Sequence, residues 1–414
     1  MTEDDISSTH PLLPPTTEDD RVAWLRLLRS RRVGVTTFYR LLAEHGTAQA
    51  ALEALPKIAQ DAGVQGYEVC PPAVVAKELA AGRKAGARLI CYAEADYPTY
   101  LTQIPDAPPI LWMRGVCDVL HRPMVALVGA RNASSLGLRM ARRMAEGLSE
   151  AGVVVVSGLA RGIDTAAHTV AVSRGTVAVL GGGVDVAYPR ENADLLAQIA
   201  ETDAVLSEQP MGVTPQARHF PARNRIIAGM SVATVVIEAA VKSGSLITAR
   251  TALDQGRDVL AVPGHPFDAR AGGGNVLIRD GARLVRGPED VLEALPPLVA
   301  VDPAARAVTR DGTGDGAGAG TGANHLGSAD PPPDQAALFA SNHAPTGVLA
   351  GGEPMAAEVL RHAILNQLGP SPVAEDQLIR DLSAPVDAVA PALTLLELEG
   401  AIARQPGGTL VRVT

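Results

Sequence analysis

Between Pro123 and Gly264 the chain alternates between two patterns. Short apolar runs recur as "VALVGA" (125–130), "VVVVSG" (153–158), "TVAVLGGG" (176–183), "AVLSE" (204–208), "ATVVIEA" (233–239) and "DVLAVPG" (258–264). Between them lie segments of helical period: Leu136 to Ala151, "IDTAAHTVAVS", "ENADLLAQIAE", the stretch after Pro221, and "LITARTALDQG". Strands that are apolar along their whole length are buried on both faces, which is the habit of parallel sheets covered by helices. Alternation with helices of about three turns implies right-handed βαβ units. The fold class is α/β with a mostly parallel sheet.

The flanks read differently. Residues 1–20 are acidic and read as a disordered tail, and residues 21–75 as a small helical domain. In "RVAWLRLLRSRRVGVTTFYRLLAEHG" the apolar positions keep helical spacing, break at "VGV", and leave Thr36 or Thr37 to cap the next helix. Such a pair serves either as a nucleic-acid-binding hairpin or as a packing domain, and the second use is the commoner. Residues 76–295 form the α/β domain, entered through short β-like runs and Pro-rich turns over 87–120. Residues 296–354, with "RDGTGDGAGAGTGANHLGSADPPPDQ", are too rich in Gly, Ala and Pro to bury a core and read as a flexible linker. Residues 355–414 regain periodicity as three helices followed by "AIARQPGGTLVRV", two strands about a Pro-Gly-Gly turn. That order is the order of a winged helix.

Charge changes meaning once it is partitioned. The 414-residue chain carries a formal −9. Residues 1–20 hold six acids and no Lys or Arg. Residues 296–354 hold six acids and two arginines, and residues 355–414 seven acids and four arginines. Those three segments together carry −13, so residues 21–295 keep +4. A mildly basic middle permits nucleic acid without demanding it. The cysteines, Cys70, Cys91 and Cys117, show neither paired nor metal-binding spacing. No apolar run reaches spanning length, and the acidic start lacks the charged-then-apolar order of a signal peptide, so a cytoplasmic location is expected.

In an open parallel sheet, ligands bind beyond the carboxyl ends of the strands. The turns at that edge are "GARNASSLG" (129–137), "SGLARGID" (157–164), "GGGVD" (181–185) and "KSGSLITAR" (242–250). Gly129 and Gly158 let the backbone approach a ligand, and Ser134, Ser157, Ser243 and Ser245 supply hydroxyls. Free N–H groups at the helix starts attract anions. Arg131, Arg161 and Lys242 add full charges to the same rim. One Gly-rich turn is ordinary packing; several on one edge, with cations among them, point to an extended polyanion.

"ARHFPARNRIIAGMS" (217–231) sharpens that reading, because it sets Arg218, Arg223 and Arg225 around Phe220. An aromatic among arginines suits single strands, whose bases stack while cations hold the phosphates. Equally, Phe220 is core and Pro221 is the first residue of a helix. Asn224 would read a base edge or cap a turn. No dinucleotide fingerprint, Walker loop, nucleophile elbow or zinc-protease motif is present, so no cofactor is expected. His168, one turn beyond Asp164, makes either an acid–base pair or a structural hydrogen bond. Glu238 is either catalytic or an anchor for the facing loop.

Taken in order, "VALVGARNASSLG", "SGLARGIDTAAH", "VAVLGGGVDVAYPREN", "SEQPMG", "HFPARNRIIAGMS" and "VIEAAVKSGSLITARTALDQGRDVLAVPG" resemble the bacterial DNA-processing protein A family, DprA, also called Smf. The resemblance covers about residues 90–295 strongly and the flanking domains more loosely. It implies an extended Rossmann-like sheet, an N-terminal SAM/helix-hairpin-helix-like domain and a C-terminal winged helix. It further implies a non-enzymatic protein that binds single-stranded DNA, loads the RecA recombinase onto it, protects strands during natural transformation, and self-associates as a homodimer. By resemblance Arg131, Arg218, Phe220, Arg223 and Arg225 contact DNA. Ala130 and Leu136 depart from the family, where serine and an aromatic are common.

A winged helix that reads duplex DNA needs a basic recognition helix. The third helix here, "PVDAVAPALTLLELEG", contains no Lys or Arg, which predicts docking to protein instead. The competing reading of the whole chain is a nucleoside-phosphate hydrolase of the lonely-guy (lysine decarboxylase-like) type. That family uses a P-G-G-x-G-T-x-x-E motif, which "VIEAAVKSGSLITAR" does not contain.

Overall fold

The computed structural model describes residues 14–295, 357–368, 373–382, 384, 386–405 and 409–413. The linker expected at 296–354 and most of the acidic tail lie outside them. The end of that tail is helical: Glu18–Asp20 form the first turn of α1 (Glu18–Arg29). Thr17 and Asp20 make a capping box there, with Asp20 N donating to Thr17 Oγ1 at 3.1 Å and Thr17 N to the Asp20 carboxylate at 3.1 Å. Acids at a helix start also complement its dipole, so the negative run is used locally.

Helices α2 (Val35–His45), α3 (Ala48–Asp61) and α4 (Pro72–Lys84) complete the N-terminal domain. Neither Thr36 nor Thr37 caps α2. Gly34 takes the N-cap position without a side-chain bond, and Thr37 is buried inside the helix. Trp24, Phe38, Leu41 and Leu55 pack with Trp112 and Leu196 of the α/β domain in one shared core. Glu78 crosses the same boundary. It accepts Trp112 Nε1 at 2.9 Å and the Arg29 guanidinium at 2.9–3.3 Å.

The α/β domain holds a nine-stranded sheet. Strands β1 (Ala87–Cys91) and β2 (Ile110–Gly115) pair antiparallel and lie at one edge. The parallel body comprises β3 (Met124–Val128), β4 (Val154–Ser157), β5 (Thr176–Val179), β6 (Ala204–Ser207), β7 (Ala233–Val236), β8 (Asp258–Ala261) and β9 (Arg283–Leu284). The spatial order is β1-β2-β6-β5-β4-β3-β7-β8-β9. Alternate residues serve two cores. Val125 and Leu127 face α5 (Ser135–Glu150) and α6 (Ile163–Ala171), while Met124, Ala126 and Val128 face Ile226 and Ile227 of α8 (His219–Gly229) and Ala249 of α9 (Gly244–Asp254). Helix α7 (Ala193–Thr202) covers β6, and α10 (Gly272–Arg279) and α11 (Pro288–Ala294) finish the domain. Because α8 starts at His219, Pro221 is its third residue rather than its first; amides of the first turn lack helical partners, so the proline costs no bond there.

The winged helix forms as expected. It contains α12 (Ala357–Gln367), α13 (Glu375–Leu382), α14 (Val386–Glu399) and a small sheet of β10 (Val373–Ala374), β12 (Thr409–Arg412) and β11 (Ile402–Gln405). Its helix α14 rests against the N-terminal domain. Arg40 Nη1 donates to Ala390 O at 2.6 Å, Arg32 donates to Leu398 O, and Thr37 Oγ1 donates to Glu397 at 3.3 Å.

Candidate nucleic-acid interface

Strand order reverses at β3, whose neighbours are β4 and β7. The chain winds from β3 through β4 and β5 to β6 on one side, then returns to lay β7, β8 and β9 on the other. Helices leaving β3 and β7 therefore diverge to opposite faces and open a crevice at the strands' carboxyl ends. A cleft of about 660 Å³ lies there, between the loops after β3 and β7 and the start of α8.

Each wall is fixed by local chemistry. Ser134 caps α5, accepting Gly137 N at 3.0 Å, and is itself held by Glu238 beyond β7. The Ser134 amide donates to Glu238 Oε2 at 2.9 Å and its hydroxyl to Oε1. Glu238 is thus the anchor of the facing loop. On the opposite wall Ser243 caps α9, accepting Ser245 N at 3.3 Å, with the two hydroxyls 2.6 Å apart. Gly162 turns the loop before α6 with φ 77°, a region closed to most side chains, and a Cβ there would strike the Ala130 carbonyl.

Phe220 stands at the centre. Arg131 Cζ lies 5.2 Å from its ring centroid and Arg223 Cζ 5.9 Å, while the Tyr188 ring tilts toward it at 5.9 Å. Arg223 is buried and reaches under the loop after β4, where Nη1 donates to Gly158 O at 2.7 Å and Val179 O at 2.9 Å. Its Nε finds no partner among the described residues. Burial pushes this guanidinium down to about 10, opposed by Asp164 and assisted by Arg131. Arg223 lines the cleft, where a buried positive charge favours an anion.

Of the residues singled out in the sequence, Gly129, Arg131, Phe220, Arg223, Asn224, Lys242, Ser243 and Ser245 meet in this cleft. Others are used elsewhere. Ser157 is buried and donates to Leu127 O at 2.6 Å. Gly158 lies behind Arg223. Arg161 is exposed and pairs with Glu191 at 2.6 and 2.9 Å. Arg218 is exposed at the N-cap of α8, its Nε 3.4 Å from His219 Nε2.

Arg225 corrects the sequence reading. It is buried on the far side of α8, bonded to Glu208 and to the carbonyl of Asp106, so the sequence-adjacent arginines serve different ends. Two positions along a helix are about 200° apart, so Arg223 and Arg225 cannot share a face. Asp164 and His168 do not pair either. Asp164 accepts Gly158 N at 3.2 Å and Ala160 N at 3.3 Å, whereas His168 Nδ1 meets Thr176 Oγ1 at 2.8 Å. Burial raises the Asp164 carboxyl and pushes His168 down to about 3, a neutral imidazole.

Sequence reasoning missed Arg270 and Tyr188. Arg270 joins the cleft from the loop after β8, and its only advance signal was a cation in another Gly-rich strand-to-helix turn. Tyr188, in "VAYPREN", reaches Phe220 from the loop after β5.

A doubly wound sheet whose switch point carries cations, helix starts and one aromatic defines a Rossmann-like protein with a cationic cleft. The family described as DNA recombination-mediator protein A matches residues 88–296. The DprA-like N-terminal HHH domain matches 18–81, and the DprA winged helix domain matches 350–408. DNA processing protein DprA of Streptococcus pneumoniae is 48% identical over 198 residues, spanning 47% of this chain and 70% of its own. Protein Smf of a Synechocystis species is 34% identical over 331 residues, 76% of this chain and 77% of its own. The X-ray structure of the Streptococcus pneumoniae DprA superposes with a TM-score of 0.51 at 38% identity, covering 64% of this chain and 99% of that one. The chain belongs to the DprA/Smf family. Among the described residues no helix is long and apolar enough to cross a membrane.

Proposed function

We propose that this protein binds single-stranded DNA across the switch-point cleft and delivers that strand to the RecA recombinase. The observation that carries the DNA part is Phe220 set between Arg131 and Arg223 at 5.2 and 5.9 Å. A ring with guanidiniums at its margin stacks an unpaired base and holds the adjoining phosphates; a base inside a duplex offers no free face to it. Lys242 and Arg270 extend the positive rim, and the start of α9 opens onto the same cleft. RecA delivery and a homodimeric state rest on membership of the DprA/Smf family, whose members carry DNA-processing names.

The test is fluorescence anisotropy with labelled oligo-dT and its duplex at low and moderate salt. Salt-sensitive binding that favours the single strand supports the proposal. Equal or absent binding of both forms overturns it. RecA loading is then measured as filament assembly on DNA coated by a single-strand-binding protein.

The hydrolase reading draws less support. Asp164, which lines the cleft, and Glu238, beyond β7, are both engaged in holding loops. A nucleotide-release assay on AMP-like substrates separates the two functions.

A further inference from the structure

A second cavity of about 550 Å³ adjoins the cleft. Met140 of α5, Ile237 beyond β7 and Val262 beyond β8 give it apolar walls, and the exposed Leu136 of α5 stands among them, with Glu238 and Asp268 also lining it. Arg139, exposed on α5, stands at its margin, and the loop after β8 closes its other side with His265. Next to His265 is Phe267, their ring centroids 5.5 Å apart. Phe267 is 95% exposed, the most exposed large apolar side chain among the described residues.

The two cavities share a wall. Glu238 and Ser134, bonded to each other, line the second, and Ser134 follows two residues after Asn132 of the first. Arg270 lines the first and pairs through Nε with Asp268 of the second at 3.1 Å. A strand leaving the Phe220 platform over Arg270 therefore meets the His265–Phe267 pair next. The components repeat those of the first site: an aromatic face left in water, an apolar recess, and a guanidinium at the margin. That combination fits a base with its phosphate, since the ring stacks the base and the cation holds the backbone.

We infer that Phe267 and His265 form a second stacking subsite for the same DNA strand, with Arg139 as its phosphate contact. This rests on the reading of the first cleft as a single-strand site. The experiment compares oligo-dT of about six nucleotides, enough for one platform, with oligo-dT of about twenty, enough for both. Phe267→Ala is expected to weaken the long oligonucleotide roughly tenfold and leave the short one unchanged, with Phe267→Tyr retaining wild-type binding. Arg131→Ala is expected to weaken both lengths.

Unchanged affinity of Phe267→Ala for the long oligonucleotide overturns the second subsite while leaving the first intact. A shift in sedimentation of that variant, with DNA affinity unchanged, reassigns the surface to protein contact and overturns it too. Equal loss on both lengths also overturns it, because Phe267 would then belong to the first platform. Arg131→Ala without effect on either length refutes the first cleft instead. Because Phe267 is solvent-exposed, melting curves of its variants should superpose on wild type and exclude misfolding as the cause.

Discussion

The Arg223 guanidinium occupies the space that a side chain at residue 158 would need. Its Nη1 donates to Gly158 O at 2.7 Å, and a Cβ on Gly158 would run into that same group. The glycine after β4 is therefore a condition for seating the arginine. Gly158→Ala should displace Arg223 from beneath Phe220, destabilise the domain by about 1–3 kcal/mol, and weaken single-strand binding. Thermal denaturation and anisotropy on one preparation check this; unchanged melting and affinity would show that the guanidinium has another resting place.

Phe220 makes a separable contribution. If it stacks a base, Phe220→Ala should cost about 1–3 kcal/mol of binding, and Phe220→Trp should preserve or improve it. The salt dependence of both should match wild type, because no charge is changed. If Phe220 is core alone, Phe220→Ala lowers stability and leaves affinity of the folded protein intact.

Arg131, in the loop after β3, and Arg225, in α8, should behave oppositely. Arg131→Ala, on the open rim, is expected to lower the salt slope of binding by about one while sparing stability. Arg225→Met removes the cation that faces Glu208 and Asp106. Breaking a buried pair from one side costs about 3–5 kcal/mol, so this variant should melt early. Any folded fraction should bind DNA with the wild-type salt slope. A reduced slope for Arg225→Met would return that residue to the interface.

These contrasts mark what the chain reveals unaided. Strands β3 to β8 are legible because both their faces are covered, giving unbroken apolar runs. The edge strand β9 is not, since Arg283 and Leu284 are exposed and two residues make no pattern. The Gly-rich turns announce a rim because each follows such a strand. Which arginine of α8 faces the rim is hidden: the helix is buried nearly all round from Arg223 to Gly229, so no polar stripe orients it. Arg270 and Phe267 come from a loop that joins the site only once β8 is laid beside β7. The docking of α14 on α2 and α3 depends on contacts across more than 300 positions of chain, such as Arg40 with Ala390.

His168 sets an acid limit on stability. Burial holds its folded pKa at about 3 against an ordinary 6.5. The unfolded chain therefore binds a proton that the folded chain refuses as pH falls below 6.5, and stability is lost in that window. From about pH 7.5 to pH 5 the loss from this group is about 2 kcal/mol. Asp164, whose carboxyl burial raises, works in the opposite direction on acidification. Comparing wild type with His168→Gln by urea denaturation isolates the histidine. The stability difference between the two should shrink by about 2 kcal/mol over that range, and a constant difference would mean that His168 takes up its proton as readily folded as unfolded.

The winged helix presents its third helix to the N-terminal domain rather than to solvent. Helix α14 carries no Lys or Arg, and its carbonyls at Ala390 and Leu398 accept from Arg40 and Arg32. Glu397 adds a bond from Thr37, and Arg404 pairs with Glu375 beside it. This face has no cation to offer a duplex and is already covered, so the module should contribute little to DNA affinity. Deleting residues 355–414 should leave oligo-dT affinity and its salt slope unchanged. Arg40→Glu, which sets like charges against Glu375 and Glu397, should release the module without touching the cleft. Release would appear as new protease cleavage in the C-terminal domain and a larger radius of gyration in solution scattering. A large loss of single-strand affinity on deletion would instead place part of the DNA path on the winged helix.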